Sequence, residues 1–436
     1  MRNLNLRELS SLLGAFAFGG RLLKKTPHLS RDEMRTWQWE RLQRLVRHAF
    51  DNVAFYRELY QAASFHPNDL RTWDDFHRLP MVTKDQVIAH YPDRMLAKGY
   101  KLDDLVVSRS SGSSGKVLDI AYDSRAMVIY TLAGLRLYGM GFSYRPWHRQ
   151  LYIYTSPYPL NSLFGLYPLQ FLSTLTPIPE IIAQLKSARP DLLVCYPSHL
   201  KQIEREMTSS DLEQVRLRCV SVNSEMSTQA ERDYLASRFR CPVLDEYSSE
   251  ELTRVAAQCR CGIYHIFEDI NYLESLPDTS QPNGLGVLVG TNLHNYAMPM
   301  IRYVQNDLGR IEERDCQCSW KFRGLVNLQG RKNDSFILPS GRTISSGFLL
   351  DATYEILLTY RRAVKDFCLI QEDSHRIVLE VVAGDDWSGE ISSAIERRFA
   401  TFFEPGIQFV IAVVDVCSKT KSGKRNPIIS RVTAKA

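Results

Sequence analysis

Between residues 180 and 250 the chain alternates short apolar strands with helices, and no other feature narrows the fold as much. Ile181 to Ser187 has helical spacing, Asp191-Leu-Leu-Val-Cys195 reads as a buried strand closed by Pro197, and His199 to Met207 is helical again. Cys219-Val-Ser-Val222 then reads as a strand, Thr228 to Phe239 as a helix and Val243-Leu244 as a strand. Strands separated by helices need crossover connections, which predicts a largely parallel sheet. Upstream, Trp37, Leu42, Leu45, Val46, Phe50, Val53 and Tyr56 recur at three- and four-residue steps, so 31–62 is helical with a break near Asn52. Past residue 285 the texture is strand-rich, with Gly286-Val-Leu-Val-Gly290 and Met300-Ile-Arg-Tyr303.

The C-terminal stretch has its own pattern. Phe367–Ile370 and Arg376–Val382 read as strands, Ser388–Phe402 as a helix and Phe409–Val414 as a strand. The expected fold is therefore α/β: a large N-terminal domain of mixed sheets and helices over 1–330, followed by a smaller α+β domain over 331–436. At 436 residues the chain is long for one hydrophobic core, which agrees with two domains.

Apolar residues make up 44% and charged residues 24%, an ordinary globular composition. The net charge of +5 suits anionic ligands such as nucleotides. It is too small, without a basic run or a recognition motif, to argue for nucleic acid. Nine cysteines, an odd count, argue against a disulfide framework and for a cytoplasmic protein. The apolar stretch Leu12–Phe18 is too short to span a bilayer. It reads as a helix packed on the body, with a weak membrane contact as the alternative.

The most suggestive local segment is Ser108-Arg-Ser-Ser-Gly-Ser-Ser-Gly-Lys116, set between the β-type runs Leu105–Val107 and Val117–Tyr122. Glycines let a backbone approach a phosphate closely, and serine hydroxyls and N–H groups donate to its oxygens. Ser110, Ser111, Gly112, Ser113, Ser114, Gly115 and Lys116 are thus candidate ATP-phosphate contacts. The Walker spacing is absent, and alone such a segment is more often a flexible turn.

Four further segments follow in order: Asp245-Glu-Tyr-Ser-Ser-Glu250, Pro299-Met-Ile-Arg-Tyr-Val-Gln-Asn-Asp307, Gly330-Arg-Lys-Asn-Asp334 and Thr420-Lys-Ser-Gly-Lys424. The ordered set resembles the adenylate-forming superfamily of acyl-CoA synthetases, adenylation domains and luciferases. Phe55-Tyr56-Arg57, Asp191–Ser198 and two cysteine pairs look closest to its phenylacetate-CoA ligase branch.

The resemblance implies a role for each segment. Glu250 would hold Mg²⁺, a hard cation that prefers carboxylate oxygen. Tyr247 would lie against the adenine and the acyl group, with Glu246, Ser248 and Ser249 in the same ATP site. Ser224 and Glu225 would line the adenine pocket. Asp307 would accept from the ribose hydroxyls and Arg331 would lie near ribose and phosphate. Lys424 would reach the α-phosphate and the substrate carboxylate, offsetting charge as two anions meet. Two positions depart from the family pattern. Asn333 stands for an aspartate at the hinge, keeping a tolerance for left-handed backbone but losing a charge, and Asn306 stands for a glycine beside Asp307.

Cys259-Arg-Cys261 and Cys316-Gln-Cys318 are paired thiols suited to a closed tetrahedral Zn²⁺ site, and His265 follows Cys259 by six. Four ligands are expected from these five residues, with Cys261 and His265 competing for one place. Tyr152, Tyr154, Tyr158, Phe164, Tyr167 and Phe171 are either an acid-binding wall or plain core. The implied activity is ATP-dependent activation of a carboxylic acid, with transfer to coenzyme A. An acyl-AMP ligase serving a carrier protein, amine or hydroxyl, and a non-catalytic nucleotide-binding protein, are the rival readings. A homodimer stays open.

Overall fold

The computed structural model describes residues 18–109, 117–155, 157–158, 162, 165–277, 284–418 and 425–432. The long first helix, α1 (Arg31–Asn52), starts at a capping box in which the Ser30 hydroxyl accepts from the Glu33 N–H and the Glu33 carboxylate accepts from the Ser30 N–H at 2.7 Å. Its buried stripe is Met34, Gln38, Leu42, Leu45, Val46 and Ala49. Val53, fully buried and extended, ends it, and α2 (Ala54–Ala62) follows. The expected break near Asn52 is therefore present. Residues 18–24 are helical and packed on the body: Leu22 is fully buried and Phe18 stacks on Trp37 at 5.5 Å. The rest of the Leu12–Phe18 stretch lies outside the described residues. Among those described, no helix is long and apolar enough to cross a membrane.

A two-stranded ribbon, β1 (Val106–Arg109) and β2 (Asp119–Tyr122), pairs antiparallel with Arg109 opposite Asp119. Helix α3 (Ser124–Gly141) leads from it towards the main sheet, capped by Asp123 accepting from the Ala126 N–H. The main sheet first takes β3 (Gln150–Tyr154) and β4 (Leu169–Ser173). Helix α4 (Ile178–Ala188), β5 (Leu192–Cys195), α5 (Pro197–Glu206), β6 (Cys219–Asn223), α6 (Gln229–Phe239) and β7 (Val243–Ser249) continue it. The strands β5, β6 and β7 pair parallel, as the strand–helix alternation predicts, and β3 and β4, which that alternation does not cover, join them in parallel. Here α4 begins three residues before Ile181, and Pro197 opens α5 at its first turn, where a missing N–H costs nothing.

Beyond β7 the sheet reverses direction. It runs through β8 (Thr253–Gln258), β9 (Tyr264–Ile266), β10 (Asn271–Pro277), β11 (Gly286–Asn292), β12 (Tyr303–Glu312) and β13 (Gly324–Val326), all antiparallel. The spatial order is β10-β11-β12-β13-β9-β8-β7-β6-β5-β3-β4. The expected strand at Met300 starts instead at Tyr303. Arg302 just before it has φ +49° and is buried on Glu274, so the backbone turns there before it can pair.

The last hundred residues form a separate core around Phe336, Leu349, Leu369, Leu379, Phe399 and Ile428. After the short pair β14 (Phe336–Ile337) and β15 (Thr343–Ile344) comes α7 (Ser346–Leu358). Strands β16 (Val364–Asp373) and β17 (Arg376–Ala383), helix α8 (Gly389–Phe399), β18 (Gln408–Val413) and β19 (Ile428–Ser430) complete the α+β unit, in sheet order β18-β17-β16-β19. Helix α8 stops at Phe399 rather than Phe402, because Phe402 and Phe403 leave the helix to pack around Phe399.

Candidate active site

β7 carries the Asp245–Glu250 motif on the strand where the sheet changes from parallel to antiparallel. Residues alternate in facing along a strand, so Tyr247 and Glu246 point to opposite sides. The Tyr247 hydroxyl donates to Asp307 Oδ2 at 2.6 Å. Burial pushes the Tyr247 phenol well above its ordinary pKa, so it stays a donor. Burial also raises the Asp307 carboxyl, against the opposing charge of Arg331. Arg331 is brought alongside by the backbone: Asp307 and Arg331 form a β-bridge, and the Leu308 N–H donates to Gly330 O at 2.9 Å. Three segments far apart in sequence thus meet at one point.

Asn306, beside Asp307, has φ +63°. This is left-handed backbone, which glycine adopts freely and asparagine tolerates, so Asn306 keeps the turn that aims Asp307. The expectation for Asn333 is corrected. It lies inside a 3-10 turn, Lys332–Asp334, and the left-handed residue at this joint is Gly330, φ +69°. A Cβ at Gly330 would stand 2.6 Å from Met226 Sδ and 2.7 Å from Ser346 Oγ.

Glu250 is exposed at the end of β7, and the Ser108 hydroxyl of β1 donates to its carboxylate. The Tyr122 hydroxyl of β2 donates to the Glu250 carbonyl. Both strands that flank the Ser/Gly loop are therefore fastened to Glu250. Ser110, Ser111, Gly112, Ser113, Ser114, Gly115 and Lys116 themselves lie outside the described residues. Ser224 has φ +66°, donates to Asn223 Oδ1 at 2.9 Å and lies 3.4 Å from the Tyr154 hydroxyl. Glu225 accepts from the Ser198 N–H at 3.1 Å. Ser249 Oγ accepts from the Leu252 N–H, closing the turn after β7 (3.2 Å). Ser248 is opposite Arg254 in the β7–β8 ladder.

Glu246 is turned inward. Arg254 Nη1 reaches both its oxygens at 2.6 Å, and Asn223 lies 3.5 Å away. Burial raises the Glu246 pKa while Arg254 opposes it. In Arg254 burial favours loss of the proton, but the Glu246 charge dominates and the guanidinium is held charged. Its carboxylate thus braces β7 and β8. Arg254, Arg302 and the Glu251–Tyr303 hydrogen bond (2.8 Å) are members of the site's frame that sequence reasoning missed. Of these, Arg302 lies inside a quoted motif and carried a usable signal.

The tyrosine segment gathers beside Ser224. Tyr152 and Tyr154 stack at 4.3 Å with planes 3° apart, and Tyr154 meets Tyr196 at 4.5 Å. Tyr158 and Phe171 border Tyr152, while Tyr167 packs away on Tyr144. Phe164 lies outside the described residues. So does Lys424, but the ends of its loop are pinned. Ser418 donates through N–H and hydroxyl to Glu380, and Arg425 holds Asp366 at 2.6 Å.

Cys259, His265, Cys316 and Cys318 place their ligand atoms within 4.8 Å of one another. Cys259 Sγ is 3.5 Å from Cys316 Sγ, and Cys318 Sγ is 3.1 Å from His265 Nε2. His265 Nδ1 lies 3.2 Å from the Phe322 carbonyl, which fixes the tautomer whose Nε2 lone pair faces the thiols. Burial lowers the His265 pKa and so favours the neutral ring. Cys261 is exposed and stands outside this group of four, although its side chain also reaches Cys316. The donor set fits a four-ligand Zn²⁺ centre.

The sequence is similar to curated phenylacetate-coenzyme A ligases. The one from Aromatoleum evansii is 29% identical over 340 residues, covering 71% of this chain and 73% of the relative. The one from Thermus thermophilus is 27% identical over the same shares. No family model matches the chain. Among solved structures, 2-hydroxyisobutyryl-CoA ligase in its postadenylation state superposes with a TM-score of 0.76 at 17% identity, covering 94% of this chain and 91% of that one. In its thioesterification state the same ligase gives 0.61. The fold is that of the adenylate-forming ligases.

Proposed function

We infer that this chain, a phenylacetate-coenzyme A ligase-like protein with an adenylate-forming fold, is an AMP-forming acid–thiol ligase. The observation that carries the reading is the convergence of Tyr247, Asp307 and Arg331 at one point, with Glu250 fastened to both strands of the Ser/Gly loop. Asp307, oriented by Tyr247, accepts from the ribose hydroxyls, and Arg331 lies beside ribose and phosphate. The Ser/Gly loop holds the β- and γ-phosphates. Glu250 would hold Mg²⁺, which neutralises phosphate charge when bound.

The acid's carboxylate attacks the α-phosphorus and pyrophosphate leaves. Lys424 offsets the charge of the two anions, and positioning supplies most of the remaining rate. Residues 331–436 act as a mobile C-terminal domain that turns about Gly330 and withdraws Lys424. The coenzyme A thiolate then attacks the acyl carbonyl and AMP leaves. Tyr152, Tyr154 and Tyr158 wall the acid site, which favours an aryl or other flat acid. Cys259, His265, Cys316 and Cys318 hold a structural zinc that ties the β8–β9 hairpin to the segment before β13. The nine unbridged cysteines support a reducing, cytoplasmic compartment.

The test is pyrophosphate release by the purified protein over a panel of aryl and alkyl acids, with and without coenzyme A. Release on an acid and a coenzyme A thioester product are expected, and both fall at least a hundredfold in Lys424→Ala. No release on any acid, or unchanged release in that variant, overturns the reading. An acyl-AMP that accumulates with coenzyme A present would point to a carrier, amine or hydroxyl acceptor.

A further inference from the structure

Acid activation leaves one cavity without a task. It lies where α5 and α6 face α7 and β16, with a volume of about 410 Å³, within the range that holds a nucleotide-sized ligand. Six basic side chains line it: Lys201, Arg205 and Arg238 from the large part, and Arg361, Arg362 and Lys365 from the C-terminal part. Only two acids, Glu204 and Asp366, stand among them.

Those acids are already engaged. Glu204 accepts from Arg238 at 2.5 Å and from Tyr234 at 3.1 Å, and Asp366 is held by Arg425 at 2.6 Å. Lys201 is matched by Glu231 at 2.6 Å, and Lys365 reaches Asp385 at 3.5 Å. Arg205, Arg361 and Arg362 have no ion pair among the described residues. Arg361 instead covers the Tyr234 ring at 5.2 Å. Leu357, Val364 and Phe367 supply an apolar floor. Basic side chains from two parts of the chain are thus brought to one concave joint in excess over its carboxylates, with Arg205 near Asp366 and Glu204, and a bound anion would relieve the remaining repulsion.

We propose that this joint binds a phosphate-bearing small molecule, with Arg205, Arg361 and Arg362 as its anion contacts, and that the bound ligand holds the C-terminal part against α5 and α6. The phosphates sit among the guanidiniums, which present paired donors to such oxygens. A flat body lies on the apolar floor. Binding here is separate from the reacting ATP and stands whether or not the chain activates an acid.

The full chain is titrated calorimetrically at low salt with adenosine 3′,5′-bisphosphate and, separately, with inorganic tripolyphosphate. Binding of at least one probe is expected, weakened tenfold or more in R361A/R362A, whose side chains are exposed and cost the fold little. Arg205→Gln, on the opposite wall, weakens it likewise. The ligand slows hydrogen exchange in both α5 and α7 of the native protein and not of the variants. Equal affinity for both probes assigns recognition to the phosphates alone, and tenfold tighter bisphosphate binding assigns the floor to a base. No binding of either probe below millimolar concentration, or unchanged binding in the variants, overturns the proposal. Pyrophosphate release is read on the same samples, so failure of acid activation with intact binding counts against that reading alone.

Discussion

At the scale of single residues, the Tyr247–Asp307 hydrogen bond is the most informative contact. An intramolecular hydrogen bond contributes about 0.5–1.5 kcal/mol net, so Tyr247→Phe raises the KM for ATP roughly two- to tenfold. Steady-state kinetics at saturating acid checks it. Asp307 adds a pH signature. Its folded pKa is raised by burial, so it takes up a proton at a higher pH than an ordinary aspartate. The protonated form is a poorer ribose acceptor. Apparent ATP affinity therefore falls as pH drops, and starts to fall above the usual carboxylate range. Asp307→Asn binds ATP weakly and shows no such acid limb. The motif order made Asp307 and Tyr247 legible in the sequence. The pairing of Glu246 with Arg254 was not, because it depends on the β7–β8 register, which no spacing rule fixes.

At the scale of elements, the hairpin β8–β9 and the segment before β13 meet at the thiol–imidazole cluster. Elemental analysis is expected to give one zinc per chain. Cys316→Ala loses the metal and lowers Tm by about 5 °C or more, while Cys261→Ala keeps both. Retention of zinc by the first variant, or its loss from the second, would refute the ligand set. Sequence left Cys261 and His265 level, since both lie at workable spacing. In the structure Gly262 turns at φ +78°, Cys259 is buried and Cys261 is exposed, while His265 is grouped with Cys259, Cys316 and Cys318. Strand–helix alternation showed β5, β6 and the start of β7, because Leu192–Cys195, Cys219–Val222 and Val243–Leu244 are short and mostly apolar, but it did not show β3 and β4, whose apolar residues alternate with Gln, Tyr and Ser. The antiparallel half was less legible, since its strands carry the motif residues and break the apolar pattern.

At the scale of the whole molecule, Gly330 is the left-handed residue that leads into the C-terminal core. A side chain there would meet Met226 and Ser346 and would sit at positive φ, so Gly330→Ala costs about 1–3 kcal/mol of local strain. Thioester formation is expected to fall more than pyrophosphate release, because only the former needs the turn to swing. Single-turnover assays of the two half-reactions separate them, and an equal fall in both would count against a hinge. The C-terminal core was partly readable, since Phe367–Ile370, Arg376–Val382 and Phe409–Val414 read as strands and are strands. The basic cavity was not, since its residues come from segments some 160 positions apart and none is unusual alone.

One consequence concerns how such a chain can diversify. β7 is a single strand with Tyr247 facing Asp307 and Glu246 facing Arg254, which lies over Tyr138 of helix α3. Substitutions accumulating on the helix-facing side leave the other side's hydrogen bond in place. The two faces of the strand can then change separately, one braced by Arg254 and the other by Asp307.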